Sequence, residues 1–420
     1  MQVLLYHIFL GLFRLSTLAA SPFYNKARLW RKGRKGVLLY LQQQIRHSDK
    51  VIWMHCASMG EFEQGRPLLE GLRSGYPHYK ILLTFFSPSG YEVQKNYQGA
   101  DWVCYLPLDG PRTAKEFLSY THPALVIFVK YELWFFYLKK ICYQKIPLLL
   151  VSALFREDMH FFKWYGGLSQ KMLGRFRHLF LQNESSLRLV ERLGLGPISS
   201  IAGDTRFDRV LKIASHAQPI EGIREFAMQQ PLLVAGSTWP EDEKVLQAAL
   251  QHPQLSSLKL IIAPHEISTA HVASVKELFD DALLYSEWKN DRPAPRVLIM
   301  DNYGMLSRLY RYATIAYVGG GLHKAGIHNT LEAAVYAIPL VFGPYHKKHA
   351  EALALLLQGA AFSFESPTHH HSLQKILIDL LTDMHRCRQA GQAAGSYVQQ
   401  QAGATRTILS YIQENRLLTN

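Results

Sequence analysis

Short apolar runs typical of β-strands alternate with helical stretches along most of the chain. From residue 51 onward the runs are VIWMHCA, KILLTFF, WVCYLPL, ALVIFVK, IPLLLVSA and HLFLQN. After a less apolar segment the alternation restarts with LLVAGST, LKLIIAP, ALLYS, RVLIMDN, IAYVGG and IPLVFGP. Strands that are each followed by a helix form parallel sheets covered by helices. The sequence therefore predicts an α/β protein with two doubly wound, Rossmann-like domains.

A chain of 420 residues is too long for one ordinary hydrophobic core, so two domains are expected. We predict an N-terminal domain over residues 36–211, a linker over 212–231 that contains SHAQPIEG, and a C-terminal domain with terminal helices over 232–420. Two such domains facing each other place a cleft at the carboxyl ends of their strands, where open α/β sheets bind ligands.

Residues 1–35 are expected to form a membrane anchor with a basic flank. MQVLLYHIFLGLFRLSTLAA is just long enough to cross a hydrocarbon core as a helix. The basic block that follows it leaves the rest of the chain in the cytoplasm by the positive-inside rule. An uncleaved anchor is favoured over a signal peptide, because the positive charge comes after the apolar run. Arg14 keeps open a shallower, interfacial helix held by acidic lipids.

The charge balance narrows the class of partner. Forty-six Lys and Arg face 33 Asp and Glu, for a net charge of +13. This suits a polyanion, an acidic membrane surface or a phosphorylated substrate. Nucleic acid is disfavoured, because the sequence has no aromatic RNP pattern, zinc-finger spacing or basic heptad region. The four cysteines form no C-x-x-C pair, as expected of reduced core residues in a cytosolic protein.

The stretch YVGGGLHKAGIHNTLEAAVYAIPLVFGP reads as a ligand site on a βαβ unit. Gly319, Gly320 and Gly321 follow a strand and let a ligand approach the backbone. Asn329 is a candidate N-cap and Glu332 can close a capping box, so a helix N-terminus would face an anionic or hydroxyl-rich ligand. The alternative is that the two side chains only cap the helix.

Other strand ends add polar groups. Gly236-Ser237-Thr238, Ala263-Pro264-His265-Glu266 and Asp301–Leu306 would join the glycine loop as four strand-end loops of one sheet, which is the arrangement a nucleotide needs. In the N-terminal domain, Glu61 follows HCASMG at the start of a helix. It could act as a general base, or merely complement the helix dipole. Arg206 in GDTRFD could hold a phosphate, or form a surface ion pair with an adjacent aspartate.

In their order and along nearly the whole chain, these motifs resemble the 3-deoxy-D-manno-octulosonic acid (Kdo) transferases of lipopolysaccharide synthesis. The resemblance rests on RLWRKGRKG, HCASMGE, YELW, GDTRFD, AGST followed by acids, IIAP, DNYGML and the glycine-loop stretch. It implies a two-domain GT-B glycosyltransferase on the cytoplasmic face of the inner membrane. Such an enzyme moves Kdo from CMP-Kdo to a lipid A precursor, lipid IVA, with inversion at the anomeric centre.

The resemblance also implies roles for particular residues. Glu61 matches the catalytic base that deprotonates the acceptor hydroxyl, and Arg206 matches a basic position that stabilises the transition state. The positions that match CMP-binding residues are Pro264, His265, Tyr303, Gly304, Met305, Asn329, Thr330, Leu331 and Glu332.

Three positions depart from the family pattern. Lys130 stands before YELW where the family often has an acidic residue, and it could pair with the phosphate or the Kdo carboxylate. His265 replaces a common arginine and would bind phosphate more weakly unless protonated. After Pro344 the chain reads YHKKH, whose positive charge could meet the donor or only solvent.

We expect no metal cofactor, because no D-x-D pair is present and CMP-Kdo has no diphosphate to hold. Basic side chains and helix dipoles would stabilise the departing phosphate. Two other functions stay open: a GT-B transferase that uses a UDP-sugar and another lipid acceptor, and a membrane-tethered relative that has lost catalysis.

Overall fold

The computed structural model describes residues 2–289, 293–365 and 370–419. The chain divides into two compact units. The first comprises Met1–Asp208 together with Ala402–Asn420, and the second comprises Arg209–Gln401.

The first unit is built on a parallel sheet of seven strands in the order β3-β2-β1-β4-β5-β6-β7. The strands are β1 Lys50–Cys56, β2 Tyr79–Phe85, β3 Trp102–Tyr105, β4 Pro123–Val129, β5 Leu148–Ala153, β6 His178–Leu181 and β7 Ser199–Ile201. Its central strands are buried on both faces, which explains why they read as continuous apolar runs rather than as alternating ones. Strand order reverses between β1 and β4, which places a topological switch point at their carboxyl ends.

The second unit has a parallel sheet of seven strands in the order β10-β11-β9-β8-β12-β13-β14. The strands are β8 Leu232–Thr238, β9 Lys259–Pro264, β10 Ala282–Leu284, β11 Val297–Ile299, β12 Ile315–Val318, β13 Leu340–Phe342 and β14 Ala361–Ser363. Its switch point lies between β8 and β12, which are paired from Ile315 with Leu233 to Val318 with Gly236.

Helices connect the strands of both sheets. Those that precede β8 are α1 Gln2–Ala20, α2 Asn25–Lys32, α3 Val37–Gln44, α4 Met59–Gly75, α5 Pro88–Gln94, α6 Pro111–Thr121, α7 Phe135–Tyr143, α8 Gly167–Leu173, α9 Glu184–Glu191, α10 Thr205–Ser215 and α11 Ile223–Ala227. Those that follow β8 are α12 Pro240–Leu250, α13 Thr269–Leu278, α14 Leu306–Leu309, α15 Leu331–Ala334, α16 Ala350–Leu357, α17 His370–Thr382, α18 Met384–Gln401 and α19 Ala404–Glu414. Short 3₁₀ turns lie at His160–Phe162, Gly196–Ile198, Pro253–Leu255 and Tyr310–Tyr312.

The predicted fold class, two Rossmann-like α/β domains of GT-B type with an apolar N-terminal helix, is confirmed. Within the described residues, α1 is the one helix that is long and apolar enough to cross a membrane by length and composition.

The end of the chain does not follow the predicted boundary of 232–420, because α19 packs on the first unit. Ile408 and Ile412 are fully buried in the core on the α4 face of the first sheet. Asp208 accepts hydrogen bonds from the backbone N–H groups of Gly403 and Thr405, at 2.6 and 2.7 Å. The apolar stripe of α19 therefore covers part of the first sheet. The segment 212–231, predicted as a linker, contains the end of α10 and all of α11.

Candidate functional site

The switch point of the first sheet carries three charged side chains. Glu61 lies in the first turn of α4, directly after β1, while Lys130 and Glu132 follow β4. Glu61 Oε2 accepts a hydrogen bond of 2.5 Å from the backbone N–H of Ala57, before the helix. The glutamate thus helps to shape the strand-to-helix turn, and its charge is coupled to the other two groups.

Burial, and then the negative charge of Glu132, raise the pKa of Glu61 to about 7, against the opposing effects of the Ala57 hydrogen bond and the Lys130 ammonium. A carboxylate with a pKa near neutral pH is both available as a base and basic enough to accept a proton. The electrostatic environment of Glu61 therefore suits a general base.

Glu132 and His55 were not predicted as site residues. Glu132 Oε2 accepts a hydrogen bond of 3.0 Å from Trp134 Nε1, and it lies 3.6 Å from Nε2 of His55. His55 is fully buried, and its Nδ1 lies 2.8 Å from the Thr84 hydroxyl. Both residues occur in motifs that are visible in the sequence, HCASMGE and YELW, but only the pairing of β1 with β4 brings them together.

Lys130 has a left-handed backbone conformation, with φ of +63°. Non-glycine residues rarely adopt this conformation, and when they do they concentrate at functional sites. Its backbone N–H donates to the carbonyl of Val151 at 2.8 Å, which fixes the turn after β4. The structure thus brings the unusual lysine to Glu61, as a nearby positive charge.

Arg206 is held by Asp204, one of the two aspartates considered as ion-pair partners. Its Nε and Nη2 lie 2.9 and 2.8 Å from Asp204 Oδ2. The preceding Thr205 is buried and contacts the Ser152 hydroxyl at the end of β5, at 3.2 Å. Arg206 therefore belongs to the same edge of the first sheet as Glu61, with a guanidinium whose orientation is set by Asp204.

A pocket of about 130 Å³ lies at the carboxyl edge of the second sheet. Five residues predicted to bind the nucleotide line it together: Pro264, His265, Tyr303, Gly304 and Met305. The ring of Tyr303 is 72% exposed, and its hydroxyl accepts a hydrogen bond of 3.1 Å from the backbone N–H of Ile267. Asn302, also in the lining, has a buried Oδ1 without a hydrogen-bond partner among the described residues. These loops form a small polar site with an unused acceptor.

Glycine is needed in the loop after β12 for two reasons: neighbouring backbone leaves no room for side chains, and the turn uses a left-handed conformation. A Cβ on Gly319 would lie 2.3 Å from the Ser237 carbonyl oxygen, and one on Gly321 would lie 2.6 Å from the Gly343 nitrogen. Gly320 has φ of +85°. Buried Asp242 accepts hydrogen bonds from Gly320 N at 2.9 Å and from the Tyr317 hydroxyl at 2.7 Å. The loop is therefore a fixed element rather than a flexible one.

The expected N-cap at Asn329 is wrong in detail. Helix α15 begins at Leu331, so Thr330 occupies the N-cap position, and the helix has four residues. Asn329 Oδ1 accepts from Leu331 N at 3.2 Å, while Asn329 Nδ2 donates to Glu332 Oε1 at 3.0 Å. Glu332 thus pairs with a side chain and does not complete a capping box. A helix of one turn also has little macrodipole to offer an anion.

Thr330 and Leu331, the other two residues of this segment that were predicted to bind the nucleotide, differ in the groups that a ligand could contact. Leu331 is fully buried, so its side chain is a core group. The hydroxyl of Thr330 is buried without a hydrogen-bond partner among the described residues.

An aromatic stack joins the pocket to the Asn329 segment. The rings of His265 and His328 are stacked at 4.4 Å, and Trp239 lies 4.8 Å from His265. Trp239 Nε1 donates to His328 Nε2 at 3.0 Å. Burial, together with the nearby His265 and His349, lowers the pKa of His328 to about 4. Neither Trp239 nor His328 was predicted, because side-chain stacking between separate loops leaves no mark in a single sequence.

A groove of about 860 Å³ lies beside the N-terminal helices of the first unit. Its lining includes four cationic side chains: Arg14, Arg31, Arg34 and Lys35. The Arg34 guanidinium is committed to backbone carbonyls, among them that of Phe86 at 2.7 Å, and it lies over the Trp30 ring. Arg14 and Lys35 are exposed. The groove therefore combines exposed positive charge with an apolar wall.

The groove is connected to the charged switch point by aromatic contacts. Trp30, which lines it, lies 5.7 Å from the ring of Phe86, and Phe86 lies 4.7 Å from Trp134. Trp134 in turn donates to Glu132.

Within the described residues, no group of three or more His, Cys, Asp and Glu side chains is arranged to hold a metal ion.

Comparisons with known proteins agree on one family. Residues 31–209 match the family model described as 3-deoxy-D-manno-octulosonic-acid transferase (kdotransferase). The enzyme of that name from Aquifex aeolicus is 29% identical over 332 residues, which cover 78% of this chain and 86% of the relative. That from Haemophilus influenzae is 26% identical over 373 residues, 86% of each chain.

Solved structures support the fold. The UDP-GlcNAc 2-epimerase from Neisseria meningitidis bound to UDP-GlcNAc superposes with a TM-score of 0.59 at 14% identity, over 87% of this chain and 100% of that one. At this identity the similarity shows a shared fold alone.

Proposed function

Since the chain belongs to the 3-deoxy-D-manno-octulosonic acid (Kdo) transferase family and is a glycosyltransferase, we propose that it transfers Kdo from CMP-Kdo to lipid IVA, the phosphorylated precursor of lipid A. The observation that carries the proposal is the position of Glu61 at the switch point of the first sheet, with its pKa raised to about 7.

In the proposed reaction the Glu61 carboxylate accepts the proton of an acceptor hydroxyl as its oxygen attacks the anomeric carbon of Kdo. The new glycosidic C–O bond forms as the bond from that carbon to the phosphate oxygen breaks. CMP leaves with the electron pair, and attack on the face opposite to CMP inverts the configuration. A base with a near-neutral pKa contributes roughly 10²- to 10⁴-fold to such a step.

The basic residues of the first unit are proposed to stabilise negative charge. Lys130 is a candidate partner for the Kdo carboxylate or the phosphate. Arg206 is proposed to act on the transition state, with Asp204 fixing the orientation of its guanidinium, since a group oriented beforehand needs no reorganisation during the reaction.

CMP is proposed to bind at the strand-end loops of the second sheet. The exposed Tyr303 ring offers a face for stacking, and Asn302 Oδ1 and the Thr330 hydroxyl are buried polar atoms that a nucleotide can satisfy. His265 would contact the phosphate. A single phosphate needs fewer cationic partners than a diphosphate, and we retain the prediction that no metal is required.

The acceptor phosphates are proposed to bind in the groove beside the N-terminal helices. Arg14 and Lys35 present charge there, and the aromatic contacts through Phe86 and Trp134 link the groove to Glu132. A glycolipid that carries phosphates and acyl chains matches a groove with both cationic and apolar walls. This placement suits an enzyme on the cytoplasmic face of the inner membrane.

The test is transfer by the purified protein to a tetraacylated lipid A precursor, with CMP-Kdo generated in situ and UDP-sugars offered in parallel. Mass spectrometry of the lipid product is expected to show added Kdo, and it counts the residues transferred. Product with a UDP-sugar but none with CMP-Kdo would overturn the proposed donor. Absence of product with every donor, from folded protein that still binds CMP, would support a relative without catalytic activity.

A further inference from the structure

Helix α1 packs against the rest of the first unit from Gln2 to Phe13. At its start, the Gln2 amide lies 3.2 Å from where a Cβ on Gly167 would stand. One turn later the Tyr6 hydroxyl donates to Asp109 Oδ2 at 2.8 Å. Leu10 is 7% exposed, and the ring of Phe13 lies 5.9 Å from that of Phe86. These positions recur every three or four residues, so a single face of the helix is packed against the domain.

Just past the end of α1, the contact is continued by Arg31, which donates to the Ser21 hydroxyl at 3.0 Å. The Tyr6 hydroxyl contacts the buried carboxylate of Asp109, and loss of this hydrogen bond would be destabilising. Asp109 is 6% exposed, and besides Tyr6 it accepts from the backbone N–H groups of Phe136 and Tyr137 at 2.9 and 3.1 Å. Loss of Tyr6 would leave a buried carboxylate with fewer donors.

Most of the remaining surface of α1 is apolar and exposed, with His7 and Arg14 as its charged or titratable members. Eight large apolar side chains on it are between 38% and 64% exposed: Val3, Leu4, Leu5, Ile8, Phe9, Leu12, Leu15 and Leu18. A contiguous apolar surface of this size marks a binding surface for membrane or protein.

The packed face of α1 argues against a spanning orientation. The helix has 19 residues and is about 28 Å long, close to the roughly 30 Å of a hydrocarbon core. If it crossed the bilayer, nearly all of its length would leave the domain, and the contacts of Gln2, Tyr6, Leu10 and Phe13 would break. We propose that α1 lies in the plane of the membrane surface, with its packed face on the domain and its exposed face in the lipid.

The surroundings of α1 indicate that the partner is an anionic bilayer. Trp164 and Tyr165, 96% and 56% exposed, precede Gly167 beside the first turn of the helix. Phe23 and Tyr24, 82% and 69% exposed, follow its end. Aromatic side chains of this kind anchor proteins at the headgroup level. Exposed cations of the basic flank, Lys26, Arg28, Lys32 and Lys35, supply attraction to acidic lipids.

The inference rests on the proposed membrane location but not on the identity of the transferred sugar. It implies that the protein is held at one leaflet, with the groove that contains Arg14 and Lys35 at headgroup height. A glycolipid acceptor could then be reached without being extracted from the bilayer.

Cross-linking in native membranes tests the orientation. In a Cys142→Ser background, which removes the exposed native thiol, Gln2→Cys is combined with Gly167→Cys and treated with a short bismaleimide. We expect an intramolecular cross-link. The control pair is Gln2→Cys with His78→Cys, because His78 is exposed and precedes β2, at the amino ends of the strands. Both of its thiols can react with the reagent, but no intramolecular cross-link should form.

Labelling of Gln2→Cys with a membrane-impermeant maleimide supplies the second readout. An in-plane helix leaves position 2 on the same side of the membrane as the domain, so inverted vesicles should be labelled and spheroplasts should not. Labelling from the opposite side without the 2–167 cross-link would overturn the proposal in favour of a spanning anchor. Cleavage after the apolar run, seen as loss of residue 2 by mass spectrometry, or a cross-link between two copies, would also overturn it.

Vesicle binding tests the proposed partner. The double variant Leu5→Glu/Leu12→Glu should keep the 2–167 cross-link but bind phosphatidylglycerol-containing vesicles at least roughly tenfold more weakly, because two apolar side chains lose their lipid environment. Unchanged binding by this variant would contradict the assignment of the exposed face to lipid.

Discussion

Glu132 Oε2 lies 3.6 Å from Nε2 of His55, a fully buried imidazole at the end of β1. The Thr84 hydroxyl accepts from Trp53 Nε1 at 2.8 Å and lies 2.8 Å from His55 Nδ1, a contact that holds the imidazole ring in place. Glu132 also lies near Glu61, and its negative charge adds to the effect of burial in raising the pKa of Glu61.

Glu61 should control the pH dependence of turnover. Because its pKa is raised to about 7 and the base must be ionised, kcat should rise with pH and level off above about 7. Glu61→Gln should reduce kcat by roughly 10²- to 10⁴-fold while CMP affinity, measured by calorimetry, stays unchanged. Loss of CMP affinity instead would assign Glu61 to structure.

Glu61 should affect stability in the opposite direction from kcat: its contribution to the stability of the folded state should decrease as pH rises. A carboxyl group whose folded pKa is raised favours the folded state below its unfolded pKa near 4.5, and that contribution is lost as pH rises through about 7. The thermal midpoint of Glu61→Gln, relative to the native protein, should therefore be higher at pH 8 than at pH 5. An equal difference at the two pH values would count against a raised pKa.

Substitution of the two neighbouring charges should move the acid limb of the kcat profile in opposite directions. Glu132→Gln removes a negative charge that raises the pKa of Glu61, so the limb should move to lower pH. Lys130→Met removes a positive charge that lowers this pKa, so the limb should move to higher pH. Shifts of the same sign in both variants would show that packing, and not charge, determines the profile.

The groove should govern acceptor recognition. Arg14→Ala and Lys35→Ala are expected to raise KM for the phosphorylated acceptor several-fold and to leave KM for CMP-Kdo unchanged, since each removes a cation from the lining. Lys32→Ala is the matched control, because Lys32 belongs to the same basic flank but is not among the lining residues. If Lys32→Ala has the same effect, general attraction to the membrane explains the result.

Glu332 should contribute more to donor binding than to folding. Its hydrogen bond with Asn329 is between two side chains and does not complete a helix cap, so Glu332→Ala should cost about 1 kcal/mol of stability or less. CMP affinity, measured by calorimetry, should fall several-fold. A large fall in the thermal midpoint with normal CMP affinity would favour the structural role.

His328 should make the protein less stable in mild acid. Its pKa of about 4 lies below the unfolded value of about 6.5, so the unfolded chain binds the additional proton between these values and stability falls as pH decreases through that range. Denaturant titrations at pH 5 and 7.5 should therefore differ less for His328→Asn than for the native protein. The exposed His385→Asn serves as the control and should keep the native difference.

Much of the fold and part of the site are predictable from the sequence. Strands such as VIWMHC and KLIIAP are buried on both faces, and this requirement for apolar side chains is what makes parallel strands visible along the chain. The end of a parallel strand and the start of the next helix are adjacent in sequence, so Glu61, Lys130, His265 and Tyr303 could be placed at strand ends. The predicted N-cap at Asn329 was wrong by one residue, because helix α15 begins at Leu331. A helix of four residues is too short for hydrophobic periodicity to define where it begins.

The sequence by itself determined the α/β class, the two sheets, the apolar and basic N-terminus and the loops in which polar groups collect, because these follow from local patterns of burial and turn formation. The tertiary structure decided which loops meet. It placed Glu132 and His55 beside Glu61, stacked His265 on His328, returned α19 to the first sheet, and laid α1 along the domain. Each of these depends on contacts between residues far apart in the chain, whose energies come from burial and charge at the point of contact and not from any local pattern.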